Sequence, residues 1–435
     1  MSDQYDVLIV GGGQAGPPLA RDLAKAGRKV AVAERKYLGG SCVNFGCTPT
    51  KAAIASARLA RLARRAGDFG LRIPQVEVDF PAVLRRAGAI ALEFRAGLDK
   101  SFENSDNPKL LRGHARFLGP GFELQVGSTQ VSARQVVLDT GTRTAIPKIP
   151  GLEKVAYIHS GNWLERTELP ERLAMIGGNY IGLEMAQFYR RMGSQVAVWE
   201  NSPRLAMHED EEVSTAIQQF LEREGIEFHV NAHIQSIEQL RATHIFLATG
   251  RTPNTDDLGL DTVGVEMSPH GIVKVDKRLA TNVPGIWAAG DIRGGPMFTH
   301  ASWDDYRILL SQISGDHSRT TDRIVPYAMF TDPELGRVGL TEQHAREKRL
   351  KFRVSRFEMK RNGKAREIGE PDGFIKVLLE EGTGKILGAA VLASEGAELV
   401  HMFVDIMNAG ASSTVIRDAI HIHPTLAEAV QSAVT

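Results

Sequence analysis

Short, almost unbroken apolar runs alternate along this chain with longer stretches in which apolar positions recur every three or four residues. That is the pattern of buried strands joined by amphipathic helices. Val7-Leu8-Ile9-Val10 is the first run, and it leads through Gly11-Gly12-Gly13-Gln14-Ala15-Gly16 into a helical stretch. Pro17-Pro18 falls in that helix's first turn, where missing amide donors are tolerated. Lys29-Val30-Ala31-Val32-Ala33 predicts a second strand ending at Glu34. Residues 52–66, rich in Ala and Arg, predict a long helix ending near Gly67, and residues 71–110 also read as helical. Short β-like runs over 112–141 are broken at Gly119-Pro120-Gly121 and at Gly127-Ser128. After a crossing near Pro147–Gly151 the opening pattern returns, with Leu173–Ile176 entering Gly177-Gly178-Asn179-Tyr180-Ile181-Gly182 and Gln195–Trp199 ending at Glu200. Between Val230 and Ile245 there is little room for more than one strand and a turn. Phe374–Leu379 and Ile386–Val391 predict adjacent strands, followed by helices near 395–409 and 413–420 and a last helix opened by Pro424.

The two glycine-rich turns carry the first chemistry. Gly11, Gly13 and Gly16 occupy the three glycine positions of a dinucleotide-binding turn, which allow the tight bend, the approach of a pyrophosphate and close helix–strand packing. Glu34 is placed to hydrogen-bond a ribose. Gly177, Asn179 and Gly182 repeat the arrangement, and Gly11 to Glu34 and Gly177 to Glu200 are both 23 positions. Two dinucleotide sites are therefore expected. Asn179 departs from the pattern; it tolerates a left-handed backbone, so weakened or repositioned binding is expected, not its absence. Glu200 favours NAD(H) over NADP(H), because a carboxylate repels a 2′-phosphate, although Arg204 lies close in sequence.

Composition narrows the setting. A chain of 435 residues exceeds one hydrophobic core, so two to four domains are expected. Fifty-two basic against 52 acidic residues argue against nucleic acid or an anionic membrane as the main partner. No apolar run reaches membrane-span length, and the first strand begins too near Met1 for a signal peptide, so a cytoplasmic protein is expected.

Cys42 and Cys47, the only cysteines, fall within Gly39-Gly40-Ser41-Cys42-Val43-Asn44-Phe45-Gly46-Cys47-Thr48-Pro49-Thr50-Lys51. A bridge between them would close almost no loop and stabilise little, so the pair reads as a dithiol that opens and closes chemically. Five positions on a regular helix turn through about 500°, leaving the side chains about 140° apart. The segment before Cys47 must then be irregular, which Gly46 permits, with a helix starting near Thr48-Pro49 and the Cys47 thiolate favoured at its N-terminus.

Together these residues resemble the FAD-dependent pyridine nucleotide–disulfide oxidoreductases, which include dihydrolipoamide dehydrogenase, glutathione reductase and mercuric reductase. The likeness covers essentially the whole chain. It rests on Gly39–Lys51, both turns, Ala248-Thr-Gly250-Arg-Thr-Pro-Asn254, Thr281-Asn-Val-Pro-Gly-Ile-Trp-Ala-Ala-Gly-Asp291 and His423-Pro-Thr-Leu-Ala-Glu428. It implies an α/β fold of two Rossmann-like FAD- and NAD(P)-binding domains with a C-terminal α+β interface domain. The expected divisions are 1–146 and 271–322 for FAD, 147–270 for the nicotinamide cofactor and 323–435 for dimerisation. By the same resemblance Cys47 is the thiol beside the flavin and Cys42 the one that exchanges with substrate. Lys51 and Glu184 form an ion pair near the flavin's reactive edge, Tyr180 is an aromatic gate over the nicotinamide pocket, and Asp291 binds the ribityl chain. His423, oriented by Glu428, is the acid–base group, and it reaches the dithiol of the other subunit in a homodimer with two shared active sites. The His423–Pro424 peptide is implied to be cis.

The expected electron path runs from NADH to FAD, to the Cys42–Cys47 disulfide and on to a small-molecule disulfide or other acceptor. No metal site is expected. Val430–Thr435 lacks the C-terminal cysteine pair that mercuric reductase and the large thioredoxin reductases use. The region Phe298-Thr-His-Ala-Ser-Trp-Asp-Asp-Tyr-Arg-Ile308 is similar to mercuric-reductase-like flavoproteins of unassigned substrate, and that branch is preferred. Dihydrolipoamide dehydrogenase is one alternative. The other is an FAD-binding electron-transfer or metal-ion reductase with impaired nicotinamide use.

Overall fold

The computed structural model describes residues 3–435; Met1 and Ser2, with which the first expected domain opens, lie outside the described residues. Strand β1 (Asp3–Val10), helix α1 (Gly16–Lys25) and β2 (Val30–Glu34) form the first unit. Helix α2 (Gly40–Asn44), α3 (Cys47–Arg64) and α4 (Phe80–Phe102) follow, then β3 (Lys109–Arg112), β4 (Ala115–Phe117), β5 (Glu123–Val126), β6 (Thr129–Leu138) and β7 (Thr142–Thr144). Strands β3, β2, β1 and β6 lie parallel in that order, and β5 and β4 extend the sheet antiparallel from β6. Val7–Val10 and Val136–Leu138 are almost wholly buried, as central parallel strands covered on both faces must be.

The second unit holds β8 (Ile158–His159), β9 (Arg172–Ile176), α5 (Tyr180–Met192), β10 (Gln195–Trp199), α6 (Glu211–Arg223), β11 (Ile226–His229), β12 (His244–Leu247) and β13 (Arg251–Pro253). Its sheet is parallel, ordered β11-β10-β9-β12-β8. The chain then returns: β14 (Ile286–Ala288) pairs parallel with β6 in the first sheet, and α7 (Thr299–Ile313) follows it. The remainder is built on β15 (Tyr327–Met329), β16 (Glu334–Gly339), α8 (Glu342–Glu347), β17 (Phe352–Glu358), α9 (Gly363–Glu367), β18 (Phe374–Glu380), β19 (Ile386–Ala393), α10 (Gly396–Asn408), α11 (Thr414–Arg417) and α12 (Ala427–Ser432). Its five strands form one antiparallel sheet, β15-β16-β19-β18-β17.

Several expected boundaries move. Residues 71–79 are not helical: α4 starts where the Asp79 carboxylate accepts the Ala82 amide and Pro81 sits in the first turn. No strand forms between β11 and β12, only a short 3-10 turn at Ile237–Leu240. The helix expected over 413–420 shortens to α11. Pro424 does not open the last helix, which begins at Ala427; ahead of it the Glu428 carboxylate turns back to accept the Thr425 amide at 2.9 Å, as the acid of a capping box does.

Candidate active site

Helix α2 ends at Asn44, whose side-chain amide donates to the carbonyls of Leu38 and Gly40. Phe45 and Gly46 leave helical geometry, and α3 begins at Cys47 itself, one residue earlier than Thr48-Pro49. The buried Trp163 fixes this break by donating its indole N–H to the Phe45 carbonyl at 2.8 Å. The irregular step brings the Cys42 and Cys47 sulfurs into hydrogen-bond contact as free thiols. The Thr299 hydroxyl, at the start of α7, lies 3.2 Å from the Cys47 sulfur.

The two thiols are unlike. The hydrogen bond from Cys42, the Lys51 charge and the Thr299 hydroxyl together outweigh burial and lower the Cys47 pKa to about 6. Cys42 moves the other way, because it is bonded to the Cys47 thiolate and buried. Cys47 also heads an 18-residue helix, so its sulfur meets the positive end of that dipole.

Lys51 follows Cys47 by one helical turn and shares its face. Its Nζ lies 2.6 Å from Glu184 Oε2, and the other Glu184 oxygen accepts the Phe330 amide at 2.9 Å. One carboxylate thus ties α3, α5 and the entry to the C-terminal sheet.

Both cysteines, Lys51, Glu184 and Tyr180 line a cavity of about 1290 Å³ that runs to Gly11, Gly13, Glu34 and Asp291. A Cβ on Gly11 would fall 2.3 Å from the Asp139 carbonyl, on Gly13 2.7 Å from Asp139 Oδ2, and on Gly16 2.6 Å from the Gly11 carbonyl. Only glycine fits these positions, and the backbone amides left for a ligand are those of the turn itself, because the Gly16 amide is taken by Asp139 and Pro17 and Pro18 carry none. Glu34 closes the turn by accepting the Gly12 amide at 2.8 Å. Asp291 accepts from Thr142, and Gly250 takes a left-handed φ of 103° beside Arg251. Burial and neighbouring acids push the Asp139 carboxyl well above the usual range, against the Gly16 amide it accepts at 2.8 Å. These residues fit a dinucleotide with its pyrophosphate against the glycine turn that leads into α1.

The second turn has the same skeleton: a Cβ on Gly177 would meet the Ala248 carbonyl at 2.3 Å, and one on Gly182 the Gly177 carbonyl at 1.9 Å. Glu200 accepts the Gly178 amide at 2.7 Å, as Glu34 does in the first. Asn179 is not left-handed. It is extended (φ −105°, ψ −174°) and caps α5, accepting the Tyr180 amide at 2.9 Å. Gly177, Asn179, Gly182 and Glu200 are not among the residues lining the large cavity.

His423 and Glu428 are brought together, Nδ1 to Oε1 at 2.9 Å, with the His423–Pro424 peptide cis. The His423 side chain is 77% exposed and does not line the cavity that holds the dithiol of its own chain. Among the described residues no cluster of three or more His, Cys, Asp or Glu could hold a metal ion, and no helix is long and apolar enough to cross a membrane. The sequence offered no pointer to Trp163; Thr299 falls in the Phe298–Ile308 stretch singled out for its similarity, but nothing there marked its hydroxyl as a partner of Cys47.

The chain is similar to known proteins over its whole length. The profile of the pyridine nucleotide-disulphide oxidoreductases matches residues 5–305, and that of their dimerisation domain matches residues 325–434. The chain is 31% identical to dihydrolipoyl dehydrogenase of Cupriavidus necator, covering 100% of this chain and 98% of that one. It is 32% identical to the probable pyridine nucleotide-disulfide oxidoreductase RclA of Escherichia coli, covering 98% of each. A solved structure described as a Cu(II) complex of the HOCl-induced flavoprotein disulfide reductase RclA superposes with a TM-score of 0.91 at 30% identity over 99% of both chains. The chain belongs to the pyridine nucleotide–disulfide oxidoreductase family and is an FAD-dependent oxidoreductase acting on sulfur groups, with a C-terminal dimerisation domain.

Proposed function

We propose that the protein passes electrons from NADH through FAD and the Cys42–Cys47 disulfide to a small-molecule disulfide. The observation that carries this is the setting of the two thiols: both line the cavity that runs to the first glycine turn, with Cys47 at the head of α3, one turn from Lys51 and 3.2 Å from the Thr299 hydroxyl. FAD, when bound, accepts a hydride from the nicotinamide and delivers an electron pair to a disulfide. Gly11, Gly13, Gly16, Glu34 and Asp291 would hold it. Lys51, held in place by Glu184, would present its ammonium where electron density gathers on reduction, and Cys47 would stand beside it as a thiolate. Cys42 then attacks the substrate disulfide, one thiol leaves, and a mixed disulfide forms. Cys47 attacks Cys42, the second sulfur leaves as a thiolate that takes its proton from solvent, and the Cys42–Cys47 bond is restored. His423 of the partner subunit, oriented by Glu428, takes the Cys42 proton and returns it to the leaving thiolate. The exposed His423 supports this shared-site homodimer.

NAD(H) is the proposed nicotinamide cofactor. Glu200 is held by the Gly178 and Ser202 amides, and the Arg204 guanidinium donates to the carbonyls of Glu209 and Met207, so it is not free for a 2′-phosphate. The proposed divisions are 1–146 with 271–322, 147–270 and 323–435. Rapid anaerobic mixing of the holoenzyme with NADH tests the path: flavin bleaching is expected, followed by reoxidation with lipoamide, glutathione disulfide or Cu(II). No bleaching at millimolar NADH would sink it.

A further inference from the structure

Tyr180 opens α5 at the edge of the cavity, and its position is held by more than packing. Its ring stacks on Tyr327 at 5.6 Å between centroids, and Phe298 stacks on Tyr327 at 5.2 Å, giving a short aromatic pile. Its hydroxyl donates to Glu209 Oε1 at 2.8 Å. The Tyr327 hydroxyl donates to the same oxygen at 2.7 Å. Glu209 is 3% exposed, and its second oxygen has no hydrogen-bond donor, only the guanidinium of the fully buried Arg337 at 3.9 Å. One buried carboxylate therefore depends on two phenols from different parts of the chain: Tyr180 on the second unit and Tyr327 on β15 of the C-terminal sheet.

We propose that Glu209 is the latch of the Tyr180 gate and that Tyr327 sets how firmly it holds. The inference rests on the reading that a nicotinamide ring enters at Tyr180. To admit the ring, Tyr180 swings out and gives up its bond to Glu209, a group that cannot turn to water in exchange. Tyr327 does not move, so in the open state it is the remaining phenol donor on that carboxylate. The two hydroxyls consequently have opposite effects. Removing the Tyr180 hydroxyl removes what opening breaks, so the gate opens more easily. Removing the Tyr327 hydroxyl leaves Glu209 without a hydrogen-bond donor from either phenol once Tyr180 departs, with only the Arg337 guanidinium at 3.9 Å, so opening becomes harder. Glu209 and Tyr327 are positioning residues in this account, since neither needs to touch the nicotinamide.

The experiment is calorimetric binding of NAD+ to the oxidised holoenzyme, which requires no turnover, for the wild type, Tyr180→Phe, Tyr327→Phe and the double variant. Phe keeps both rings and the stack. A hydrogen bond to a charged acceptor shifts a two-state equilibrium about tenfold, and apparent affinity follows the open fraction. Tyr180→Phe is expected to tighten NAD+ binding by about tenfold, and Tyr327→Phe to weaken it by a similar factor. In the Tyr180→Phe background the Tyr327 change is expected to be silent, because the bond it modulates is already gone. Shifts of the same sign in both single variants, or no shift in either, overturn the latch. A wild type that binds no NAD+ while retaining FAD overturns the underlying reading as well, and is distinguishable from the first result.

Discussion

Thr299→Val isolates one contribution to the Cys47 thiolate. Valine matches threonine in shape and leaves the start of α7 and the dipole of α3 in place, but it cannot donate to the sulfur 3.2 Å away. Cys47 stands at about 6 against an ordinary thiol value of 9.0, with Cys42, Lys51 and Thr299 acting together. A hydrogen bond to a charged acceptor contributes about 1.5 kcal/mol, and about 1.4 kcal/mol moves a midpoint by one pH unit. The variant is therefore expected to titrate near pH 7 (an order-of-magnitude estimate), and Thr299→Ser near the wild-type value. The sign follows from the charge state: the hydroxyl favours the anion, so without it the thiolate forms only at higher pH. At neutral pH the thiolate fraction falls from about nine-tenths to about half. The assay is the long-wavelength absorbance of the two-electron-reduced holoenzyme as a function of pH. On the proposed assignment it reports a Cys47 thiolate beside the flavin, and it is expected to disappear altogether in Cys47→Ser. A Thr299→Val midpoint equal to that of the wild type, or below it, refutes the hydroxyl's part in lowering the Cys47 pKa.

Three further perturbations probe the rest of the site. Lys51→Met leaves Glu184, 6% exposed, with only the Phe330 amide; a loss of about 3 kcal/mol in chemical denaturation is expected, partly recovered in Lys51→Met/Glu184→Leu. Gly13→Ala forces a Cβ to within 2.7 Å of Asp139 Oδ2, so the purified variant is expected to lose flavin absorbance, whereas Asn179→Gly keeps it. His423→Ala is expected to slow disulfide turnover by about 100-fold or more while flavin reduction by NADH in rapid mixing stays at the wild-type rate; equal slowing of both phases counts against an acid–base role.

The dithiol segment, both nucleotide turns and the His423–Glu428 pair were legible because their chemistry needs particular residues at short, fixed spacings. Glu34 and Glu200 could be placed for the same reason, each ending the strand after its turn. What was not legible depends on distant pairing. Cys47 and Thr299 are 252 positions apart, and Glu209 and Tyr327 are 118 apart. No local pattern encodes such contacts, and a threonine after Asp291 or a glutamate before α6 looks ordinary in isolation. The misplaced boundaries have a different origin: local capping overrode composition. Asp79 and Pro81 mark the start of α4, a signal present in the sequence, and at 424–428 the Glu428 carboxylate caps the Thr425 amide just ahead of α12.

Asn179 shows how the two turns, so alike in spacing, come to tolerate different residues. The expectation of a left-handed backbone located the constraint in the wrong place, since neither Gly13 nor Asn179 has a positive φ. The constraint lies across the sheet. Residue 139, following β6, and residue 248, following β12, occupy the same place, each presenting its carbonyl to the first glycine of its turn at 2.3 Å from a built Cβ. In the first unit that residue is Asp139, whose carboxylate reaches under the turn to take the Gly16 amide and so forbids any Cβ at Gly13. In the second it is Ala248, whose methyl group reaches no such amide, and Asn179 is free to cap α5 with its own side chain. The glycine at the middle position is thus demanded by the aspartate opposite as well as by the approach of a pyrophosphate. Shortening Asp139 to alanine should accordingly make Gly13→Ala tolerable for folding, leaving flavin retention to report the pyrophosphate's requirement alone.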